Sequence, residues 1–331
     1  MNISDAIVRA GLRNGCLFIV INKLITKMAV KKKETKYKSE VNLEQVLEEN
    51  DLTFTEAGSF RNKAAVIRVK DTGGNSLILK TGGIEPFQVQ LLKTAKLIES
   101  QLCFKVPTII KQGEDWILLE DIQGQSLNEL IDRKPQWCAE VSKKITDDYQ
   151  KVTAKILETE NPGNLFEDGK RWIFSRLLLW GGSIINAGLM EYQEIKDIAD
   201  EFERIIKQKG EDLFGWFHGN IIGDHVIVSG DDIYLLDLHI VPRAGKNYYD
   251  FLRALDFMFL KSSKEEEMFN LIPQWVQKYL PQEDHEEVKL VLASRFIGIL
   301  GWDILFHKVE YTEGSLEKKK ELAMKFIKKE Y

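Results

Sequence analysis

His218, Gly219, Asn220, Asp224 and His225 crowd one short polar stretch, and Asp237 follows a little further on. Val226-Ile227-Val228 comes directly after His225, then a Gly230-Asp231 turn, then Tyr234-Leu235-Leu236 ending on Asp237. Two short apolar strands around a glycine turn make a hairpin, which presents the polar groups at its open end together. Carboxylates in such a place are hard oxygen ligands for a cation such as Mg²⁺. Asp237, set after three apolar strand residues, needs a partner, because a desolvated carboxylate is costly. Plainer roles stay open for the others: His218 as a hydrogen-bonding loop residue, Asn220 as a turn residue, Asp224 as a surface charge. His218, His225 and His239 are three of the five histidines, and with Asp224 and Asp237 they offer nitrogen and oxygen donors to Zn²⁺. No H-E-x-x-H or comparable spacing supports that reading.

The elements that must position these groups fall into two halves. A short helix is expected over 41–49, followed by strands at 53–55, 64–70 and 76–80. The last two strands are joined by Asp71-Thr72-Gly73-Gly74-Asn75, which is turn chemistry. A helix starting near Pro86 carries an apolar stripe of Phe87, Leu91, Ala95 and Ile98. Strands are expected again at 106–110 and 116–120. Beyond Gly124 long helical patterns take over, at 126–131, 137–157, 172–185, 191–207, 248–260, 264–280, 286–306 and 316–329. The hairpin around Asp224 and Asp237 carries the strong strand signals of this half.

With 331 residues, 44% of them hydrophobic and 10% aromatic, the chain can bury a sizeable core. A net charge of −5 gives no footprint for general nucleic-acid binding. Cys16, Cys103 and Cys138 are scattered and odd in number, which argues against a disulfide framework or thiolate metal site and for a reducing, cytoplasmic setting. Residues 1–40 stand apart. The apolar run Cys16–Ile21 stops at Asn22 and Lys23, far short of a membrane span, so no integral membrane association is expected. Arg9 and Arg13 precede it, but no small-residue cleavage site follows. Met28 opens a Lys-rich stretch that reads like the start of a soluble protein, so 1–40 is expected to be a flexible or over-extended leader. An amphipathic surface helix is the other reading.

The order of these elements, with His218-Gly219 before the hairpin and Asp237 at its end, resembles the aminoglycoside phosphotransferase group of kinase-like enzymes. The likeness spans most of the chain after about residue 50. It implies an α+β, two-lobed protein-kinase-like fold, with a small β-rich N-lobe over 41–121 and a larger helical C-lobe over 122–331. It also implies ATP, with Mg²⁺ or Mn²⁺, as cofactor. In that group a flexible loop covers the nucleotide phosphates, and Ala57 to Lys63, with Gly58 and Ser59, holds that place. Lys80, at the end of Leu77-Ile78-Leu79-Lys80, stands where a strand lysine pairs with phosphate. Its carboxylate partner on the next helix is Glu85, charged but at the helix's very start, or Gln88, better placed but neutral. Trp116 to Leu127 matches the hinge, where backbone groups from Glu120 to Ile122 meet adenine.

Two positions depart from the family's pattern. Asn220 stands where the resemblance expects a catalytic Asp, and His225 where it expects a metal-binding Asn; His218 and Asp237 match. A neutral amide cannot take a proton, and a positioned general base contributes roughly 10²–10⁴ in rate. Imidazole is a poor ligand for Mg²⁺, so Asp224 and Asp237 are the candidate oxygen pair, with His225 beside them. Asp250, after Tyr248-Tyr249, is expected to cap the next helix and brace the catalytic loop. The resemblance implies phosphoryl transfer from ATP to a hydroxyl of a small molecule whose identity the sequence does not name. The alternative is a catalytically impaired pseudokinase that binds nucleotide or a partner. The sequence is silent on oligomeric state.

Overall fold

A computed structural model describes residues 42–56, 65–81, 84, 87–306 and 316–331 of the chain. The readings placed on the leader, on Gly58 and Ser59, on Glu85 and on a helix start at Pro86 lie outside the described residues. The chain divides into two compact units. The first holds the described residues up to Ser126 together with His225–His239, and the second holds Leu127–Asp224 and Ile240–Tyr331.

The first unit is built on a five-stranded antiparallel sheet. Helix α1 (Leu43–Glu49) precedes it, with the Asn42 side chain accepting from the backbone N–H groups of Glu44 and Gln45. Strands β1 (Thr53–Glu56), β2 (Ala65–Lys70), β3 (Ser76–Thr81), β4 (Ile109–Gln112) and β5 (Trp116–Glu120) lie in the order β1-β2-β3-β5-β4. Period-two alternation sends Leu77 and Leu79 of β3 into a core with Ile67, Val69 and Leu118. The β2–β3 turn closes as its composition requires: the Asp71 carboxylate accepts from the Asn75 N–H and side-chain amide, each at 2.8 Å. Helix α2 (Gln88–Leu97) buries Leu91, Leu92 and Ala95, so its apolar stripe is broader than the expected one.

The expected strand at 106–110 forms three residues later, as β4. The apolar residues Phe104 and Val106 are buried instead where Lys105 pairs in parallel with Tyr234. Tyr234 belongs to the expected hairpin, β8 (Val226–Ser229) and β9 (Asp232–Leu235), which with β6 (Gln125–Ser126) forms a three-stranded sheet. Lys105 Nζ also meets Asp232 Oδ2 at 2.7 Å.

The second unit is mainly helical: α3 (Leu127–Leu130), α4 (Pro135–Leu157), α5 (Leu165–Arg176), α6 (Gly182–Asn186), α7 (Tyr192–Lys209), α8 (Tyr249–Lys261), α9 (Glu265–Tyr279), α10 (His285–Phe306) and α11 (Leu316–Ile327). The single helix expected over 172–185 is not found. It starts earlier, because Asn164 caps it, and Leu177–Gly181 then form a π turn before α6. A second difference is the pair β7 (Phe214–Phe217) and β10 (Val241–Ala244), which run antiparallel. Neither carries a strand signal: β7 is buried at every position and so does not alternate, and β10 contains Pro242. Their pairing fixes the start of the 218–220 loop, which leaves β7 at Phe217. No described helix is long and apolar enough to cross a membrane.

Candidate active site

Within the sheet unit, β3, α2 and the end of the hairpin bring three side chains together. Lys80 Nζ donates to Asp237 Oδ1 at 2.6 Å and to Gln88 Oε1 at 2.9 Å, and Gln88 Nε2 donates to the same Asp237 oxygen at 2.9 Å. Gln88 is the first residue of α2 and is buried. It accepts from the lysine and donates to the aspartate, which a glutamate could not do. His239 Nε2 lies 3.0 Å from the other carboxylate oxygen, Oδ2. The backbone at Asp237 is left-handed, φ 53°, and the Leu236 N–H is held by the His225 carbonyl at 2.8 Å. Aspartate is among the few residues that tolerate that conformation.

Burial works against charge on Asp237. The hydrogen bond from His239 and the charges of Lys80, His239 and His225 outweigh it and hold the carboxyl far below the usual range. The side chain is still 34% exposed, so solvent screens part of that effect. Glu120 spends its N–H on Thr108 and accepts from the Thr108 N–H through its side chain. Ile122 lies just beyond β5 and is half-buried. Asp121 between them is anchored by Arg68 Nε at 2.7 Å and Ser76 Oγ at 2.6 Å. Arg68 carries no sequence signal for this role.

The second unit places His218, Asn220 and Asp224. His218 is buried, and its ring meets Tyr149 edge-on with centroids 5.1 Å apart. Gly219 has φ 75°, and a Cβ there would lie 2.2 Å from Val241 Cγ2, so only glycine fits. The N–H groups of His218 and Gly219 donate to Asp250 at 2.9 and 2.7 Å. Asp250 thus braces the loop, but it does not cap α8: it lies inside the first turn, after Tyr248, and no side-chain cap is made. Burial pushes the Asp250 carboxyl up to about 7, against those two N–H groups and the charges of Arg243 and Arg295. Asn220 Oδ1 accepts from Arg253 Nη2 at 3.1 Å and Nε at 3.3 Å. Asp224 is exposed and accepts from the Asn128 side-chain amide.

These donors suit a nucleotide phosphate better than a divalent cation. Lys80 carries a charge of the sign that a phosphate needs. Oδ1 of Asp237 already accepts two hydrogen bonds and Oδ2 faces His239, so at most one lone pair remains for a metal. Among the described residues no three His, Cys, Asp or Glu side chains form a metal-ligand group, so the Zn²⁺ reading, on two histidines and a carboxylate, finds no support in the geometry. A Mg²⁺ ion would meet the chain through one carboxylate oxygen and take its other ligands from phosphate and water.

No protein-family model and no curated protein matches the chain. Solved structures do. A thermostable mutant of aminoglycoside phosphotransferase APH(4)-Ia superposes with a TM-score of 0.60 at 10% identity, over 87% of this chain and 98% of that one. The amicoumacin kinase hAmiN does so with 0.52 at 13% identity, over 91% and 96%. An aminoglycoside phosphotransferase from Alicyclobacillus acidocaldarius gives 0.50 at 12% identity, over 88% and 94%. At such identities a likeness carries the fold and no more. The chain has the protein-kinase-like fold of the aminoglycoside phosphotransferases, α+β with a β-rich N-lobe and a helical C-lobe.

Proposed function

We propose that the chain is an ATP-dependent phosphotransferase acting on a hydroxyl of a small molecule. The observation that carries this reading is the Lys80–Gln88–Asp237 group, a lysine and an aspartate held together by hydrogen bonds on a kinase-like fold. Lys80 neutralises phosphate charge, and Gln88 holds Lys80 and Asp237 in register. A divalent ion, when bound, would neutralise further phosphate charge; Asp237 would be its ligand. Gly58, Ser59, Glu85, Glu120 and Ile122 are assigned to the nucleotide. Asp224 and His225 are secondary candidates for the metal. Asn220 orients the acceptor hydroxyl without deprotonating it, and His218 shapes the loop that carries it. Phosphoryl transfer has a loose transition state and depends mainly on positioning and charge, so a missing base slows it without abolishing it.

The solved neighbours support this reading: hAmiN is in complex with AMP-PNP, Ca²⁺ and Ami, and APH(4)-Ia in a ternary complex with ADP and hygromycin B. A second reading, a nucleotide-binding regulatory module without transfer, is favoured by Asn220, whose carbonyl is held by Arg253. Release of ADP, measured with ATP, Mg²⁺ and a panel of small hydroxyl compounds, separates the two. Acceptor-dependent ADP release that Asp237→Ala abolishes supports transfer. Nucleotide binding with no release for any acceptor supports the module.

A further inference from the structure

Beside the 218–220 loop, the helical unit gathers four guanidinium groups. Arg243 follows Pro242 in β10, Arg253 and Arg295 come from α8 and α10, and Arg176 ends α5. Arg253 Nη1 and Arg295 Nε both reach Asp256, at 2.5 and 2.6 Å, and Arg295 Nη1 reaches the Tyr249 hydroxyl at 2.6 Å. Asp250 is the other carboxylate of the group, so cations outnumber carboxylates by two. The surplus is felt by its neighbours. Burial opposes ionisation of Tyr249, yet the charges of Arg295, Arg243, Arg176 and Arg253 overcome it and hold the phenol below its usual range. Burial and the like charges of Arg295 and Arg243 bring Arg176 down to about 9. Asn220, where the resemblance expects a carboxylate, leaves this surplus larger than an aspartate would.

Arg243 keeps one nitrogen without a partner, although its guanidinium also hydrogen-bonds Tyr249. Its Nη1 donates to its neighbour's carbonyl, Pro242 O, at 2.7 Å, while its Nε is shut off from solvent and has no hydrogen-bond partner. A cation is costly to leave in that state. The guanidinium lies over Trp172 with its central carbon 4.5 Å from the ring, and Arg176 sits against the same ring at 5.0 Å. Stacking of this kind fixes a planar fork while leaving its edge to bind. A Cβ on Gly219 would lie 3.7 Å from Arg243 Nε, so the buried Nε side of the guanidinium borders the loop itself. Arg176, Arg243 and Arg253 are partly buried rather than fully enclosed, with the Arg253 side chain 15% exposed.

We propose that the acceptor carries an anionic group, a carboxylate or a phosphate, and that Arg243, flanked by Arg253 and Arg176, receives it beside Asn220. The proposal rests on the phosphotransferase reading for the word acceptor, but the binding of the anion does not. A guanidinium fork matches either oxyanion bidentately. A cationic acceptor such as an amino sugar or amino alcohol is repelled by the same groups.

The test is a binding panel on the full chain at matched ionic strength, read by thermal midpoint and by calorimetry. The probes are inorganic phosphate, glycerate and glycerol 3-phosphate against glycerol and ethanolamine, with ATP titrated separately. The proposal expects at least one anion to raise the midpoint, with glycerol and ethanolamine inert; glycerate against glycerol 3-phosphate tells carboxylate from phosphate. Arg243→Gln weakens the anion roughly tenfold or more, the loss expected for a charged hydrogen bond, and leaves the ATP shift in place. Arg243→Lys, which keeps the charge, loses less. Lys80→Ala keeps the anion shift. No shift from any of the three anions overturns the proposal, as does an equal response to ethanolamine. Loss of the ATP shift in Arg243→Gln overturns it too, since the guanidinium would then serve the nucleotide. A protein that shifts with ATP but not with the anions keeps the phosphotransferase reading and loses this one. The reverse pattern does the opposite.

Discussion

Lys80 and Asp237 stand 157 residues apart in the chain, and Lys80 Nζ lies 2.6 Å from Asp237 Oδ1. The pair joins the third strand of the sheet to the end of the hairpin, and Gln88 touches both partners. Kinase-like sites commonly balance such a lysine with a helix glutamate. Here the neutral amide of Gln88 does the bridging among the described residues.

Gln88→Glu would place a second carboxylate about a hydrogen bond's length from Asp237, in a buried position. Stability should fall by about 1–3 kcal/mol, the cost of a lost donor facing a charged acceptor. Mn²⁺ should restore more of that loss than it adds to the wild type, because two carboxylates hold a hard cation better than one. Denaturant unfolding with and without Mn²⁺ measures both effects. Unchanged stability would mean that Gln88 is not tied to Asp237.

Asn220→Asp would meet Arg253 as a charge-assisted pair, in a region where cations are in excess. Unfolding should become harder by about 1 kcal/mol, and turnover should change by less than about tenfold, because Arg253 would hold the new carboxylate. A gain of roughly 10²–10⁴ is what a restored general base gives. A gain of that size, with Asn220→Asp alone or combined with His225→Asn, would mark these positions as a decayed site.

Asp250 gives a pH dependence with a definite sign. Its folded pKa is about 7, against roughly 3.9 for an unfolded aspartate. Between those values the folded chain holds the extra proton. The stability this group contributes is therefore full below about pH 4 and lost as pH rises through about 7. Denaturant curves for wild type and Asp250→Asn, collected from pH 5 to 8, should converge or cross as the wild type loses that advantage. Parallel curves would show that Asp250 does not titrate in this range.

The hairpin and the strand carrying Lys80 are legible because alternation, a glycine turn and a terminal charge are local signals. Asp237 stands out for the same reason: a carboxylate after three apolar residues calls for a partner. The identity of that partner is not local. Lys80 and Asp237 meet only after the sheet and the hairpin have formed, and the choice between Glu85 and Gln88 depends on where α2 begins. The arginines near Asn220 are harder still to foresee. They come from four separate elements, and each reads in sequence as an ordinary helix or strand charge. Strand β7 is hidden because full burial removes the alternation that marks a strand, and β10 because it contains Pro242. The π turn after Arg176 leaves no trace in a pattern that continues to look helical.

The central claim is that the Lys80–Asp237 group binds nucleotide. It is tested most directly by the thermal midpoint of the full chain with ATP, with and without Mg²⁺ or Mn²⁺, beside Lys80→Ala and Asp237→Ala. A ligand that binds only the folded state must raise the midpoint, by about 2.7 kcal/mol of stability at one hundred times its dissociation constant. The account predicts an ATP shift that Lys80→Ala removes, with a metal-dependent part that Asp237→Ala removes. A folded protein whose midpoint does not move with ATP, with or without either metal, would contradict it.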